Sequence, residues 1–299
     1  MISSVLASMQ VFEHISSLRA QLHQWRQAGL TIALVPTMGN LHAGHLSLVE
    51  LAQKHADKVV VSVFVNPLQF GPNEDYEQYP RTFEADKMVL EQFATDVLFY
   101  PSASQMYPST DWMTQVVAPN ALTSILEGSK RPGHFDGVTT VVAKLFHIVQ
   151  PDLAVFGQKD YQQFAVIQAM VEGLFMPVRL IRAAIVRDKD GLALSSRNQY
   201  LSPQQRQIAP KLAEALVAIE TALASGNVKV RDVCDAAYKR LLQQGFDDVD
   251  YIEVRDAKTL APCKDLTTSQ TWVILAVARL GKTRLLDNRI FQQQGRLHQ

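Results

Sequence analysis

The chain has 299 residues, 47% of them hydrophobic, and its 29 Lys+Arg are balanced by 29 Asp+Glu. That length exceeds what one core usually holds, and a neutral chain lacks the broad basic surface that non-specific nucleic-acid binding needs, so charged ligands are left to a few local groups. The two cysteines, Cys234 and Cys263, lie far apart without CxxC spacing, the N-terminus lacks a basic region, and no uncharged apolar run reaches the roughly 18 residues of a membrane helix, so a cytoplasmic protein without signal peptide, membrane or nucleic-acid partner is expected.

Apolar spacing predicts a first helix over Val11–Ala28 with Gly29 as its C-cap. "LTIALV" (Leu30–Val35) reads as a buried strand, followed by a Pro/Gly/His turn and a helix over about Leu46–His55. "KVVVSVFV" (Lys58–Val65) is a second apolar strand ending at Asn66-Pro67; after a loop, Arg81–Ala94 reads as helix and Asp96–Tyr100 as a third strand. Gly137–Val149 is again helical, Asp152–Phe156 a strand and Tyr161–Glu172 a helix. Strands that are apolar throughout and alternate with helices imply a parallel sheet covered on both faces, a Rossmann-like doubly wound α/β domain. Such sheets bind ligands beyond the carboxyl ends of their strands. The polar, glycine-bearing segments "PTMGNLHAGH", "NPLQFGPNEDYEQYPRT" and "GQKDYQQ" all fall at that end.

From about Ala184 the pattern changes. A turn is expected at Asp190-Gly191, and Pro203 opens an amphipathic helix running to about Ala224. Ser225-Gly226-Asn227 breaks it, and a second helix runs to about Gln244 with Gly245 behind it. Three strands follow, in "VDYIEVRD", "TWVILAVARL" and "TRLLDN". The expected division is therefore an α/β domain over residues 1–184 and a smaller α+β C-terminal domain, a lid or cap, over residues 185–299.

Three segments carry groups suited to chemistry. His42 and His45 stand beside Gly39 and Gly44 at a strand-to-helix turn. A metal would need a third ligand, and the HExxH spacing of zinc hydrolases is absent. Either histidine alone could be a helix cap or core residue, whereas together they suit an anion met by backbone N–H groups and the helix dipole, with imidazole N–H groups donating as charge develops. In "GQKD" (Gly157–Asp160) a lysine at a strand end suits a phosphate, although a surface lysine would look the same. In "LSSRN" (Leu194–Asn198) two hydroxyls beside a guanidinium could grip phosphates, or simply cap a turn.

The order of these segments matches the HIGH and KMSKS layout of the nucleotidyltransferase-like superfamily. "PTMGNLHAGHLSLV", "VFVNPLQF", "YPRT", "EGSKRPGHFDGVTTVV", "KLFHIVQPDLAVFGQKDYQQ" and "DGLALSSRNQYLS" together resemble the pantothenate synthetase (pantoate–β-alanine ligase) family, from about Val35 to Asn288. The resemblance implies condensation of pantoate with β-alanine, ATP becoming AMP and pyrophosphate through an enzyme-bound pantoyl adenylate. It implies an ATP site lined by Met38, Gly39, Asn40, Leu41, His42, Ala43, Gly44 and His45, by Gly157, Gln158, Lys159 and Asp160, by Val186 and Leu194, and by Ser195, Ser196 and Arg197. His45, His42, Lys159 and Arg197 would carry catalysis by stabilising charge on the departing pyrophosphate. Gln69 and Gln163 fall on pantoate positions, Gln69 also on the β-alanine position. Mg2+ would enter on the ATP phosphates rather than on a carboxylate cluster, and a homodimer is implied.

Two departures from the family pattern stand out: Gln158 where Glu is usual, and Asp136 where a basic residue is common. Two other functions share part of this pattern. A nucleotidylyltransferase with a phosphorylated acceptor would want further basic residues where Gln69 and Gln163 stand, and a regulatory nucleotide-binding module would have no need of a clamp on a leaving group.

Overall fold

The computed structural model describes residues 8–292 except 73, 110, 227, 264, 265 and 267–269, so Asn227, expected to help break a helix, lies outside the described residues. Two compact units emerge: residues 8–157 with 162–184, and residues 158–161 with 185–292.

The first unit is a six-stranded sheet in the order β1-β4-β3-β2-β5-β6, every neighbouring pair parallel. Its strands are β1 (Gln10–Phe12), β2 (Ile32–Thr37), β3 (Lys58–Val63), β4 (Val97–Phe99), β5 (Leu153–Gly157) and β6 (Arg179–Ala183). The connecting helices are α1 (Ile15–Gln27), α2 (Ala43–Gln53), α3 (Phe83–Gln92), the short α4 (Ala103–Met106), α5 (Asn120–Thr123) and α6 (Leu126–Lys130), then α7 (His134–Val149) and α8 (Tyr161–Gly173).

Alternation along a strand sends successive side chains to opposite faces, and in β2 both faces are apolar. Ile32 and Leu34 pack with Leu18 and Leu22 of α1, Phe146 of α7 and Ile167 of α8, whereas Ala33 and Val35 pack with Val49 and Ala52 of α2 and Leu90 of α3. Each such fully buried Leu or Ile contributes about 1.5–3 kcal/mol. Because all strands are parallel, the chain leaves β2, β3 and β5 at the same end of the sheet.

Several boundaries differ from the sequence expectation. Val11 and Phe12 belong to β1 rather than to the first helix, and β6 was not anticipated; α2 starts at Ala43 and α7 at His134, each earlier than expected. The α2 start follows from its cap, described below. The two unexpected strands are the edges of the sheet.

The second unit is an antiparallel sheet β7-β8-β9, with β7 (Asp248–Asp256), β8 (Thr271–Leu280) and β9 (Thr283–Gln292). Its helices are α9 (Pro203–Ile208), α10 (Lys211–Ala224) and α11 (Val230–Gln243). Leu212, Leu216 and Ile219 of α10 and Ala237 and Leu241 of α11 pack on Trp272, Ile274 and Ala276 of β8. The helix expected from Pro203 to Ala224 is interrupted at Ala209-Pro210. Pro210 has no N–H, so it cannot give the carbonyl of Arg206 the bond a continuous helix requires. The turn at Gly191 forms as expected, at φ +91°.

Candidate active site

The loop from β2 to α2 is built around a buried carboxylate that the sequence did not advertise. Asp86, in the first turn of α3, is 3% exposed. Its Oδ1 accepts from Leu41 N (2.7 Å), and its Oδ2 accepts from Asn40 N and from Thr82 Oγ1 (both 3.0 Å). Gly39 sits at φ +84°, and a Cβ there would meet Asp86 Oδ2 at 2.9 Å and Val63 Cγ1 at 3.0 Å, so conformation and space both require glycine. The N–H groups of Asn40 and Leu41 are therefore committed to a carboxylate inside the protein.

His42 is the N-cap of α2 and His45 its third residue. Gly44 N donates to His42 Nδ1 (3.1 Å), and His42 N donates to His45 Nδ1 (3.3 Å), with ring centroids 4.1 Å apart. A ring nitrogen that accepts from a backbone N–H holds no proton, so each neutral imidazole carries its proton on Nε2. Both rings are donors through the same atom, at the N-terminus of a helix.

Gln69 ends a single 3-10 turn, Pro67–Gln69, after β3. Its side chain lies against the β2 loop, Nε2 3.1 Å from Met38 Sδ, and its Oε1 accepts from Asn66 Nδ2 (3.1 Å). Its backbone carbonyl contacts His134 Nδ1 (2.7 Å) and Arg131 Nη2 (3.4 Å). Arg131 in turn holds both oxygens of Glu74 (2.7 and 2.6 Å) and lies 3.0 Å from His134 Nε2. Arg131 can only donate and the carbonyl can only accept, so His134 is neutral with its proton on Nδ1. Burial, reinforced by the Arg131 charge, pushes its pKa down to about 4. Gly137 of α7 makes the close approach possible, since a Cβ there would meet Leu68 O at 2.3 Å.

In the second unit, Asn288 Nδ2 donates to the carbonyls of Gln158 and Lys159 (both 2.9 Å), and its Oδ1 accepts from Gln158 Nε2 (3.1 Å). Lys159 Nζ is 3.5 Å from Asp160, a loose pair. Val186 and Leu194 face each other across the Gly191 hairpin through Leu194 N to Val186 O (3.0 Å), and Arg187 grips Asp287 with two bonds of 2.6 and 2.8 Å. Ser195 caps the 3-10 turn Ser196–Tyr200, its Oγ accepting from Arg197 N (3.3 Å).

Of the residues expected from sequence, Met38, Gly39, Asn40, Leu41, His42, Ala43, Gly44, His45 and Gln69 lie together in the first unit at the carboxyl end of β2 and β3. Gly157 ends β5 in that unit, whereas Gln158, Lys159, Asp160, Val186, Leu194, Ser195, Ser196 and Arg197 belong to the second. Gln163 is half-buried on α8, and its neighbour Gln162 is buried, bonding Leu122 O, Ile125 O and Glu127 N. Asp136 accepts from Ala118 N (3.1 Å), a structural use for the unusual acidic residue. Sequence reading missed Asp86, Asn66, Tyr107, Arg131 and His134. The signals were the motifs themselves: "VFVNPLQF" contains Asn66, "GSKRPGHFDG" contains Arg131 and His134, and "YPRT" precedes Asp86. No group of three or more His, Cys, Asp or Glu suited to a metal occurs among the described residues.

The sequence profile of the pantoate–β-alanine ligase family matches residues 10–290. The pantothenate synthetase of Hydrogenovibrio crunogenus is 60% identical over 280 residues, 94% of this chain and 98% of that protein; the one from Stenotrophomonas maltophilia is 52% identical over 281 residues, 94% and 99%. Among solved structures, the Thermus thermophilus pantothenate synthetase superposes with a TM-score of 0.87 at 42% identity, covering 96% of this chain and all of that one. The Francisella tularensis pantoate–β-alanine ligase, solved in complex with β,γ-ATP and β-alanine, gives a TM-score of 0.79 at 33% identity over 96% of this chain and 98% of that one.

Proposed function

This chain belongs to the pantoate–β-alanine ligase family, and from that membership we infer that it condenses pantoate with β-alanine, ATP being converted to AMP and pyrophosphate by way of an enzyme-bound pantoyl adenylate. The observation that carries the mechanism is the reciprocal His42/His45 cap, which sets two Nε2–H donors at the start of α2. A pantoate carboxylate oxygen attacks the α-phosphorus, and the bond to the bridging oxygen breaks, leaving pyrophosphate. His45 and His42 donate to the oxygens on which charge develops, and Lys159, Ser195, Ser196 and Arg197 take up the remainder. The β-alanine amine, deprotonated, then attacks the acyl carbon of the mixed anhydride and expels AMP.

Met38 to His45, Gly157 to Asp160, Val186 and Leu194 are assigned to ATP, Gln69 and Gln163 to pantoate, and Gln69 also to β-alanine. A neutral amide can orient a carboxylate without ion-pairing it, which would hold the ground-state nucleophile too firmly. Mg2+ belongs on the ATP phosphates, since this ion keeps waters and takes few protein ligands. Residues 1–184 are assigned to ATP and pantoate, and residues 185–299 act as a lid that keeps water from the anhydride. A cytoplasmic homodimer is part of the same proposal and rests on the resemblance. The test is nucleotide-product analysis with ATP, Mg2+ and pantoate, with and without β-alanine. AMP accumulating in many turnovers only with both acids present is the expected result. ATP binding without AMP formation would overturn the reading.

A further inference from the structure

The Gln69 amide has its orientation dictated from the protein interior. Asn66 is 1% exposed, and two main-chain groups identify which atom of its amide is which. Leu68 N, a donor, lies 3.3 Å from one amide atom, which must be Oδ1; Gly137 O, an acceptor, lies 3.1 Å from the other, which must be Nδ2. Nδ2 is also 3.1 Å from Gln69, so the Gln69 atom meeting it is Oε1. Gln69 Nε2 is thereby turned the other way, toward Met38 in the loop after β2. Tyr107 completes the chain. Its hydroxyl is 2.7 Å from Asn66 Oδ1, an acceptor, so the phenol donates. Burial raises the phenol's pKa above its ordinary value, so that proton is kept. The ring is held independently, with Phe64 6.1 Å away and the Lys144 ammonium 5.3 Å over its centroid.

We propose that Tyr107 is a positioning residue for the pantoate site: its hydroxyl adds the shortest of the three bonds that hold the Asn66 amide and so stiffens, through Asn66, the Gln69 orientation that presents the N–H side, so that the site selects a hydrogen-bond acceptor, such as a carboxylate oxygen, and rejects a donor in that place. This rests on the assignment of Gln69 to pantoate. Tyr107→Phe keeps the ring and removes one hydrogen bond from the chain. It should raise KM for pantoate about threefold to tenfold while KM for ATP stays put.

The decisive measurement is a double-mutant cycle with Gln69→Ala. In the Gln69→Ala background, Tyr107→Phe should change pantoate KM by less than about 1.5-fold, because its effect has lost its carrier. An equal effect in both backgrounds, or none in either, overturns the inference. Asn66→Asp gives a second reading: an acceptor facing Gln69 Oε1 forces the amide over, and pantoate KM should rise more than about tenfold. An unchanged pantoate KM in that variant also overturns it. Pantoate-dependent AMP formation by the unmodified protein is measured on the same day. Its absence removes the parent reading and this one together, whereas its presence with an unresponsive Tyr107→Phe removes this one alone.

Discussion

Replacing Asp86 by Asn tests whether a buried carboxylate really shapes the loop that bears the two histidines. The substitution preserves size but supplies one acceptor oxygen where two are used. If the oxygen stays opposite Leu41 N, the new NH2 group faces Asn40 N–H and the Thr82 hydroxyl; the hydroxyl can turn and accept, but Asn40 N–H loses its acceptor. If the amide is reversed, Leu41 N–H loses its acceptor instead. One buried donor without its partner costs about 1–3 kcal/mol, and the remaining bonds lose charge assistance, so a total of about 2–4 kcal/mol is expected. Urea unfolding followed by far-UV circular dichroism measures that loss directly. Initial rates give the functional share: if about 1.4 kcal/mol of it falls on the ATP-bound state, KM for ATP rises about tenfold. A stability loss below about 0.5 kcal/mol with ATP KM within about twofold of the parent would refute the reasoning.

His134 makes stability depend on pH in a specific window. Its folded pKa, about 4, lies below the ordinary 6.5, so between those values the unfolded chain binds a proton that the folded chain refuses. The contribution is fully present above pH 6.5 and is lost as pH falls toward 4, amounting to at most about 3 kcal/mol; urea midpoints from pH 8 to 4 should show it, and His134→Asn should flatten that part of the curve. His45→Ala should lower kcat by about 10²–10³ with a smaller effect on ATP binding, in single-turnover and equilibrium measurements respectively. Retention of kcat within a few-fold would move His45 out of the reaction. Gln158→Glu should cost about 1–3 kcal/mol in urea unfolding, because Asn288 Nδ2 is tied to two carbonyls and its Oδ1 would face another acceptor. No loss would mean that Asn288 reorients.

The central strands were legible because burial on both faces leaves continuous apolar runs: Leu30–Val35 and Lys58–Val65 locate β2 and β3 to within two residues at each end. The two missed strands are the sheet edges. β1 has no buried residue, and β6, "RLIRA", has only Ala183 buried, so neither needed an apolar run to form. Pro210 was visible, and its meaning lay in the helix pattern around it. At the site, the His42–His45 spacing was readable because cap and helix start are local. Asp86, Tyr107 and His134 act across intervals of 45, 41 and 65 residues on Leu41, Asn66 and Gln69, and no periodicity records such pairings.

The strand order also sets how the chain must assemble. β2 takes β3 as one neighbour early in the sequence, but its other neighbour is β5, and Ile32 N binds Asp152 Oδ2 across 120 positions. Loop closure of that span is slow and yields no reward until both ends meet. While the chain is being made, β1 to β4 can already pair, leaving the edge of β2 that β5 will take bare, its backbone N–H and C=O groups unpaired. The strand that leads into the two histidines is therefore finished late, and a nascent chain stalled before residue 153 presents an open edge to any other strand that finds it.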